Sequence, residues 1–577
     1  MFKSHLYVIY ICVYLAFVAG QDDDDPLVVC PPKVGCIKGT TMKGYQTPLF
    51  EAFLGIPYAE PPIGFLRFKS PQVKQKWDNT YNATIPKNDC IQKNYLLPTP
   101  LIYGEEDCLY LNVYRPEVRR DTLPVMVYIH GGGFFSGSAG PYITGPEYFM
   151  DTREVILVTM AYRLGPFGFL STGTRDMPGN YGLKDQNLAL RWVRDNIASF
   201  GGDKNQVTIF GQSAGGVSTH MHLLSPASNN LFQRVISMSG TANVPFAITK
   251  NPLRQARKLA SLAFIKNAFK LPVFKLATLL REVPAINLIN AGDGLKYWDV
   301  DPLTNFRPVV EPPGKDAFLT AKPSSLMRRN EYQKRPWLIG TVPEEGAVRV
   351  VNIMENNTLR NQFNDRLEYL FQSLLEWPRK LSPLQTKDKT DSVVLEYLSG
   401  IYELNNRTRS GFLDTITDRG FKHPLYDAIS WYAASTMRVQ SPIFMYNFNY
   451  KGPFSFASLY TQANVTGNYG VVHCDDLIYL FRSPIIFPDF PRFSNEAKVI
   501  DWFVKYFVNF AKLGYTAFVP LLGECSTSVL EKRPNGICDY HEFVNDEFNP
   551  SGFEVKVNSA FPTERVKMWQ RLLDQRV

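Results

Sequence analysis

The chain has 577 residues, 45% of them apolar and 20% charged, with a formal net charge of +8. That balance is ordinary for a folded globular protein, and no dense Lys/Arg tract points to nucleic acid or an anionic membrane. No repeat or Gly/Ser linker divides the chain, so one large α/β domain over residues 28–577 is expected rather than a string of small ones.

Lys3 and His5 precede an apolar run, Leu6 to Val18, closed by the small residues Ala19 and Gly20. This is the pattern of a secretory signal peptide over residues 1–20, and the run is short for a membrane span. Residues 21–27, with Asp22 to Asp25, form an acidic spacer. The C-terminal RLLDQRV lacks the apolar tail of a lipid-anchor signal, so a secreted, extracellular protein with no stable membrane anchor is expected. Cysteine usage agrees. Cys12 leaves with the signal, and Cys90 with Cys108 closes a loop whose bridge would stabilise by about 3 kcal/mol. Cys30 with Cys36, and Cys525 with Cys538, are candidate local pairs, which would leave Cys474 over. Glycosylation sequons stand at Asn82, Asn356, Asn406 and Asn464.

Residues 49–69 combine an apolar run with a Pro-rich turn. In EDCLYLNVYRP, Leu109, Leu111 and Val113 alternate as a strand that Pro116 stops. Val125 to Ile129 is a solid apolar strand running into His130-Gly131-Gly132-Gly133. Each of those glycines costs backbone entropy, which a loop of bare N–H groups around a reacting oxygen would justify. His130 reads as support for that loop. Glu154 to Arg163 is another buried strand, followed by a Gly/Pro loop. From Asn180 a helix begins, with Leu188, Trp192, Val193 and Ile197 inward and Gly201-Gly202 at its end.

Val207 to Phe210 is then a β-branched apolar strand, and Val217, Met221 and Leu224 have helical spacing. Between them lies Gly211-Gln212-Ser213-Ala214-Gly215, a G-x-S-x-G turn between strand and helix that lifts a serine hydroxyl above a sheet. Arg234 to Met238, Trp337 to Thr341 and Ile443 to Tyr450 read as further strands. Residues 250–330 and 352–435 look mostly helical, as a cap around a pocket would be. The order expected is that of a doubly wound, mostly parallel sheet with helical cap insertions.

A serine needs a histidine to take its proton and a carboxylate to orient that histidine. Of seven histidines, His473 follows the last strand, in a loop before the aromatic stretch LIYLF, and can swing over the serine. The acid should fall between serine and histidine in chain order. Glu345, before a glycine at a strand end, is the best candidate, and spacing alone does not separate it from Glu344.

These motifs, with FLGIPYAEPPIGFLRF, HGGGFFSGS, NYGLKDQNLALRWV, GQSAGG, EEG and GVVHCDD, make the chain similar to the type-B carboxylesterase/lipase family of α/β-hydrolases over residues 28–570. The resemblance implies Ser213 as nucleophile, His473 as base and Glu345, rather than Glu344, as acid. It further implies an oxyanion hole from Gly132, Gly133 and Ala214, a Cys90–Cys108 disulfide, a small-molecule ester substrate, and no metal or organic cofactor. Two departures bear on substrate. The loop Ile91 to Asp107 has no tryptophan to hold a quaternary ammonium, and the family's common glutamate before the serine is Gln212. Both argue for a neutral ester. Gln212, Arg67-Phe68, Asp185-Gln186 and Gly470-x-x-His473-x-x-Asp476 resemble the juvenile hormone esterase pattern. Cys474 stands where glycine is usual, and the alternative to an enzyme is a catalytically silent adhesion protein of the same fold.

Overall fold

The computed structural model describes residues 27–97, 99–117, 122–378, 381–435, 441–516, 525 and 538–573. The expected signal peptide, nearly all of the acidic spacer and the last four residues lie outside these.

Eleven strands form the main sheet: β1 (Thr40–Met42), β2 (Phe50–Pro57), β3 (Tyr110–Pro116), β4 (Leu123–Ile129), β5 (Ile156–Met160), β6 (Gly202–Gln212), β7 (Arg234–Met238), β8 (Trp337–Thr341), β9 (Ile443–Asn449), β10 (Tyr540–Asn545) and β11 (Phe553–Asn558). Their spatial order is β11-β10-β9-β8-β7-β6-β4-β5-β3-β2-β1. From β10 through β5 every neighbouring pair is parallel, and antiparallel strands occupy both margins.

The solid apolar runs of the inner strands follow from burial on both faces. On β4, Val125, Val127 and Ile129 enter one core, and Met126 and Tyr128 enter the other. On β6, Val207 and Ile209 face the first core and Phe210 the second. The first core is covered by helices α1 (Tyr181–Asn196) and α2 (Ala214–Leu224), the second by α3 (Asn495–Leu513). A third apolar cluster, including Val350, Phe371 and Phe412, holds the cap helices together.

Several elements differ from the sequence-based expectation. Strand β3 ends at Pro116 as expected, but β6 extends back to Gly202. The Gly/Pro loop contains a helical turn at Gly165–Phe169, where Gly165 supplies a left-handed φ of 52° before Pro166. LIYLF lies at a short 3-10 turn, Asp475–Tyr479, rather than a helix. Between 250 and 330 helices cover only Pro252–Leu262, Val273–Glu282, Ala285–Asp293 and Pro323–Arg328. Disulfides join Cys30 to Cys36, Cys90 to Cys108 and Cys525 to Cys538, and Cys474 is a buried free thiol. Among the described residues no helix is long and apolar enough to cross a membrane.

Gly340 in β8 faces Tyr446 in β9, and a β-carbon there would sit 1.9 Å from the ring Cζ. Tyr446 is fully buried and has nowhere to move. Gly340→Ala is therefore expected to cost about 1–3 kcal/mol of stability. An unchanged urea midpoint would contradict this packing.

Candidate active site

The chain passes outward along β4 and then returns to lay down β6 beside it, with β5 on β4's other side. Strand order reverses between β4 and β6, and the carboxyl ends of two such strands leave a crevice for a ligand. Two loops emerge into it: His130 to Phe135 from β4, and Ser213 from β6.

Ser213 sits at φ 57° and ψ −120°, a conformation that costs energy for any residue with a side chain. Close backbone contacts hold it there. A β-carbon on Gly215 would lie 2.0 Å from Ile129 O, and one on Gly211 would lie 2.6 Å from Gly215 C. The Ser213 N–H donates to Met238 O at 2.8 Å, and Ser213 O accepts from Val217 N–H at 2.9 Å. The serine is thus pinned between β7 and the first turn of α2.

The glycine loop curls back on itself. The N–H groups of Phe135 and Ser136 donate to Gly132 O, at 3.0 and 2.9 Å. Gly132 and Gly133 have φ of 96° and 60°, and a β-carbon on Gly132 would meet Ser136 O at 2.1 Å. Among the described residues, no protein group accepts the N–H of Gly132, Gly133 or Ala214. His130 is neutral, its pKa pushed down to about 4 by burial. Its Nδ1 lies 2.9 Å from Gly131 O and its ring stacks on Tyr162 at 4.3 Å, which makes it a brace for the loop.

Across the crevice, His473 Nδ1 meets Glu345 Oε2 at 2.5 Å, and both side chains are buried. The other carboxylate oxygen, Oε1, accepts from Thr341 Oγ1 at 3.0 Å and from Val342 N–H at 3.1 Å. Glu345 is therefore oriented by the end of its own strand. Glu344 points elsewhere: its backbone bridges Val472, and its side chain lies against Gly470. Burial disfavours the imidazolium of His473, but Cys474 and Glu345 beside it outweigh this and raise its pKa well above the ordinary value.

The His473 loop has its own anchors. Asp475 accepts from Val472 N–H at 2.9 Å and Phe456 N–H at 2.8 Å, and Tyr460 Oη donates to His473 O at 2.6 Å. Cys474 takes φ 77°, a left-handed position that explains why glycine suits it. On the open side, Gln212 Nε2 lies 3.3 Å from His473 Nε2. In the neutral imidazole, with Nδ1–H directed at Glu345, the remaining ring nitrogen is an acceptor and can take a hydrogen bond from the Gln212 amide.

The other histidines in the described part are held in structural contacts. His220 accepts from Ala242 N–H at 3.0 Å, and His222 lies 2.7 Å from Ser228 Oγ and 3.1 Å from Gln186 Oε1. His423 lies 3.5 Å from Asp427, and His541 lies 3.0 Å from Tyr506 Oη. Paired motif residues quoted for the juvenile hormone esterase pattern are likewise struts. Arg163 makes a bidentate bond to the fully buried Asp185, at 2.7 and 2.6 Å. Arg67 pairs with Glu106 in the Cys90–Cys108 loop and donates to Arg281 O and Val283 O, tying that loop to the cap.

Ser213, Gly132, Gly133 and His473 line one cavity. Its walls are largely apolar, with Leu96, Phe135, Phe246, Val348, Leu374 and Phe421, and Phe421 packs on His473 at 5.0 Å. Glu345 lies behind His473 and does not line it. The cavity also contains charged groups that no sequence motif announced: Arg307, Glu376 and Arg419.

The chain matches the carboxylesterase family over residues 25–550. It is 39% identical to juvenile hormone esterase of Tribolium castaneum over 510 residues, covering 86% of this chain and 85% of that one. It is 34% identical to venom carboxylesterase-6 of Apis mellifera, covering 90% of each. Among solved structures, juvenile hormone esterase from Manduca sexta superposes with a TM-score of 0.79 at 26% identity, covering 95% of this chain and 99% of that one. The fold is accordingly that of an α/β-hydrolase, the chemistry is hydrolysis of carboxylic esters, and the chain belongs to the carboxylesterase family.

Proposed function

We propose that the protein is a secreted serine esterase that cleaves lipophilic esters, uncharged at the reacting end, through Ser213, His473 and Glu345. The observation that carries this is the 2.5 Å contact between His473 Nδ1 and Glu345 Oε2, with His473 and Ser213 lining the same cavity. His473 Nε2 takes the hydroxyl proton as Ser213 Oγ attacks the ester carbonyl. The free N–H groups of Gly132, Gly133 and Ala214 receive the oxyanion, each such donor being worth on the order of 100- to 1,000-fold. His473 then gives its proton to the departing alcohol. Water repeats the sequence on the acyl-serine and releases the acid.

The apolar cavity walls and the neutral Gln212 beside the base favour a lipophilic ester that carries no cation. The two juvenile hormone esterases among its relatives make a juvenile hormone the first natural ester to try. Secretion is supported by the three disulfides and by exposed sequon asparagines at Asn82, Asn406 and Asn464; Asn356 is half-buried and caps a helix through Leu359 N–H.

Ser213→Ala is expected to lower kcat on p-nitrophenyl butyrate by on the order of a millionfold and to abolish labelling by a fluorophosphonate. A folded wild-type protein that neither hydrolyses nor labels would instead be the silent relative. Because His473 must be neutral to act, kcat/KM should fall as pH drops through its raised pKa, with a midpoint above the ordinary 6.5. Glu345→Gln should move that midpoint down and lower kcat by roughly 10,000-fold. A wild-type midpoint at or below 6.5 would mean that burial outweighs the neighbouring groups and would contradict the raised pKa. Expressed in insect cells with its own N-terminus, the protein is expected in the medium beginning at Gln21, which N-terminal sequencing checks.

A further inference from the structure

Three arginines and two acids line the cavity: Arg307, Arg349 and Arg419 against Asp301 and Glu376. Four of the five are matched. Arg349 Nε donates to Asp301 at 2.6 Å, and the two terminal nitrogens of Arg307 donate to both oxygens of Glu376, at 2.9 and 2.6 Å. Arg419 is the remainder. Its Nε donates to Leu375 O at 2.9 Å and its guanidinium lies over Trp569 at 5.8 Å from the ring centroid, but no carboxylate is within ion-pairing distance among the described residues. Arg419 as a whole is only 8% exposed. Burial pulls its pKa down to about 10, against the pull of Glu376, so at neutral pH it remains a cation.

Burying an arginine without a salt-bridged carboxylate is costly, and the planar guanidinium is suited to bidentate recognition of a ligand carboxylate. Its placement is deliberate in the backbone as well. Residues Asp418–Lys422 form a π-helical turn, a rare irregularity associated with functional sites. That turn puts Arg419, Gly420 and Phe421 on the cavity wall, and Phe421 is the residue packed on His473. Tyr297, Thr304, Arg307 and Glu376 line both this cavity and an outer groove, whose other charged residues are Lys250, Arg254 and Lys258. The approach is therefore positive, which favours entry of an anion.

We infer that Arg419 is the heart of a subsite for a carboxylate carried at the end of the substrate remote from the scissile ester. The inference rests on the esterase reading above. It sharpens it: the ester group is neutral, and the far terminus is anionic.

The test compares chains matched in length and differing only at the terminus. On the acyl side these are the mono-p-nitrophenyl ester of suberic acid and p-nitrophenyl octanoate. On the alcohol side they are the acetates of 8-hydroxyoctanoic acid and of 1-octanol, followed by proton release. The wild type is expected to favour the carboxylate-ended member of at least one pair in kcat/KM by roughly tenfold to a hundredfold, the worth of a charge-assisted hydrogen bond. Arg419→Gln should collapse that ratio towards one, chiefly through KM, and Arg419→Lys should restore part of it. Equal kcat/KM for both members of both pairs overturns the inference while leaving the esterase intact. So does a ratio that survives Arg419→Gln, or a loss in that variant shared equally by both members. If Arg419→Gln does not fold, the wild-type ratio and Arg419→Lys decide. Failure of the wild type to hydrolyse any of these esters or to label with a fluorophosphonate would be a failure of the esterase reading instead.

Discussion

The molecule is organised around one backbone contact, the approach of Gly215 to Ile129 O, where a β-carbon would come within 2.0 Å. It joins the start of α2 to the end of β4 and so presses the Ser213 turn against the loop of three glycines. Ser213 is held at φ 57° because its neighbours leave no other path between strand and helix. The same closeness leaves the N–H groups of Gly132, Gly133 and Ala214 without protein acceptors beside the serine hydroxyl. The strain is local, and the sheet carries it: β4 from Pro124 and β6 from Val207 onward are buried and close-packed.

The histidine side of the site works by a different principle. His473 arrives on an irregular loop, so its orientation depends on side-chain bonds rather than on a strand. Thr341 and Val342 fix one oxygen of Glu345, the other oxygen fixes the imidazole, and Asp475 with Tyr460 fixes the backbone around it. Cys474 belongs to this scaffold: the left-handed turn it occupies is needed to bring His473 round, whatever residue supplies it.

Burial gives the cavity its character. An apolar wall suits a lipophilic chain, and the few charges placed in it are correspondingly strong because little water screens them. Arg307 and Arg349 spend their charge on Glu376 and Asp301 within the protein. Arg419, on its π-helical turn, does not, and this asymmetry distinguishes one region of an otherwise oily pocket.

What the sequence by itself determined was local and repetitive. Apolar runs such as Val125 to Ile129 announced inner strands because both faces of a parallel strand are buried. Glycines at 211, 215 and 131–133 announced tight turns because only glycine tolerates such approaches, and the carboxylesterase motifs could be read from those positions. Glu344 and Glu345 were indistinguishable by spacing, because which of two neighbouring side chains faces His473 depends on how the chain turns after Thr341. Arg67 and Asp185 looked like signature residues and proved to be struts, since a motif records that a residue matters without recording what it touches. Arg307, Glu376 and Arg419 were silent altogether. They lie far apart in the chain, and only the folding of the cap brings two into a pair and leaves the third without one, because electrostatic matching is a property of distances in space that no one-dimensional pattern contains.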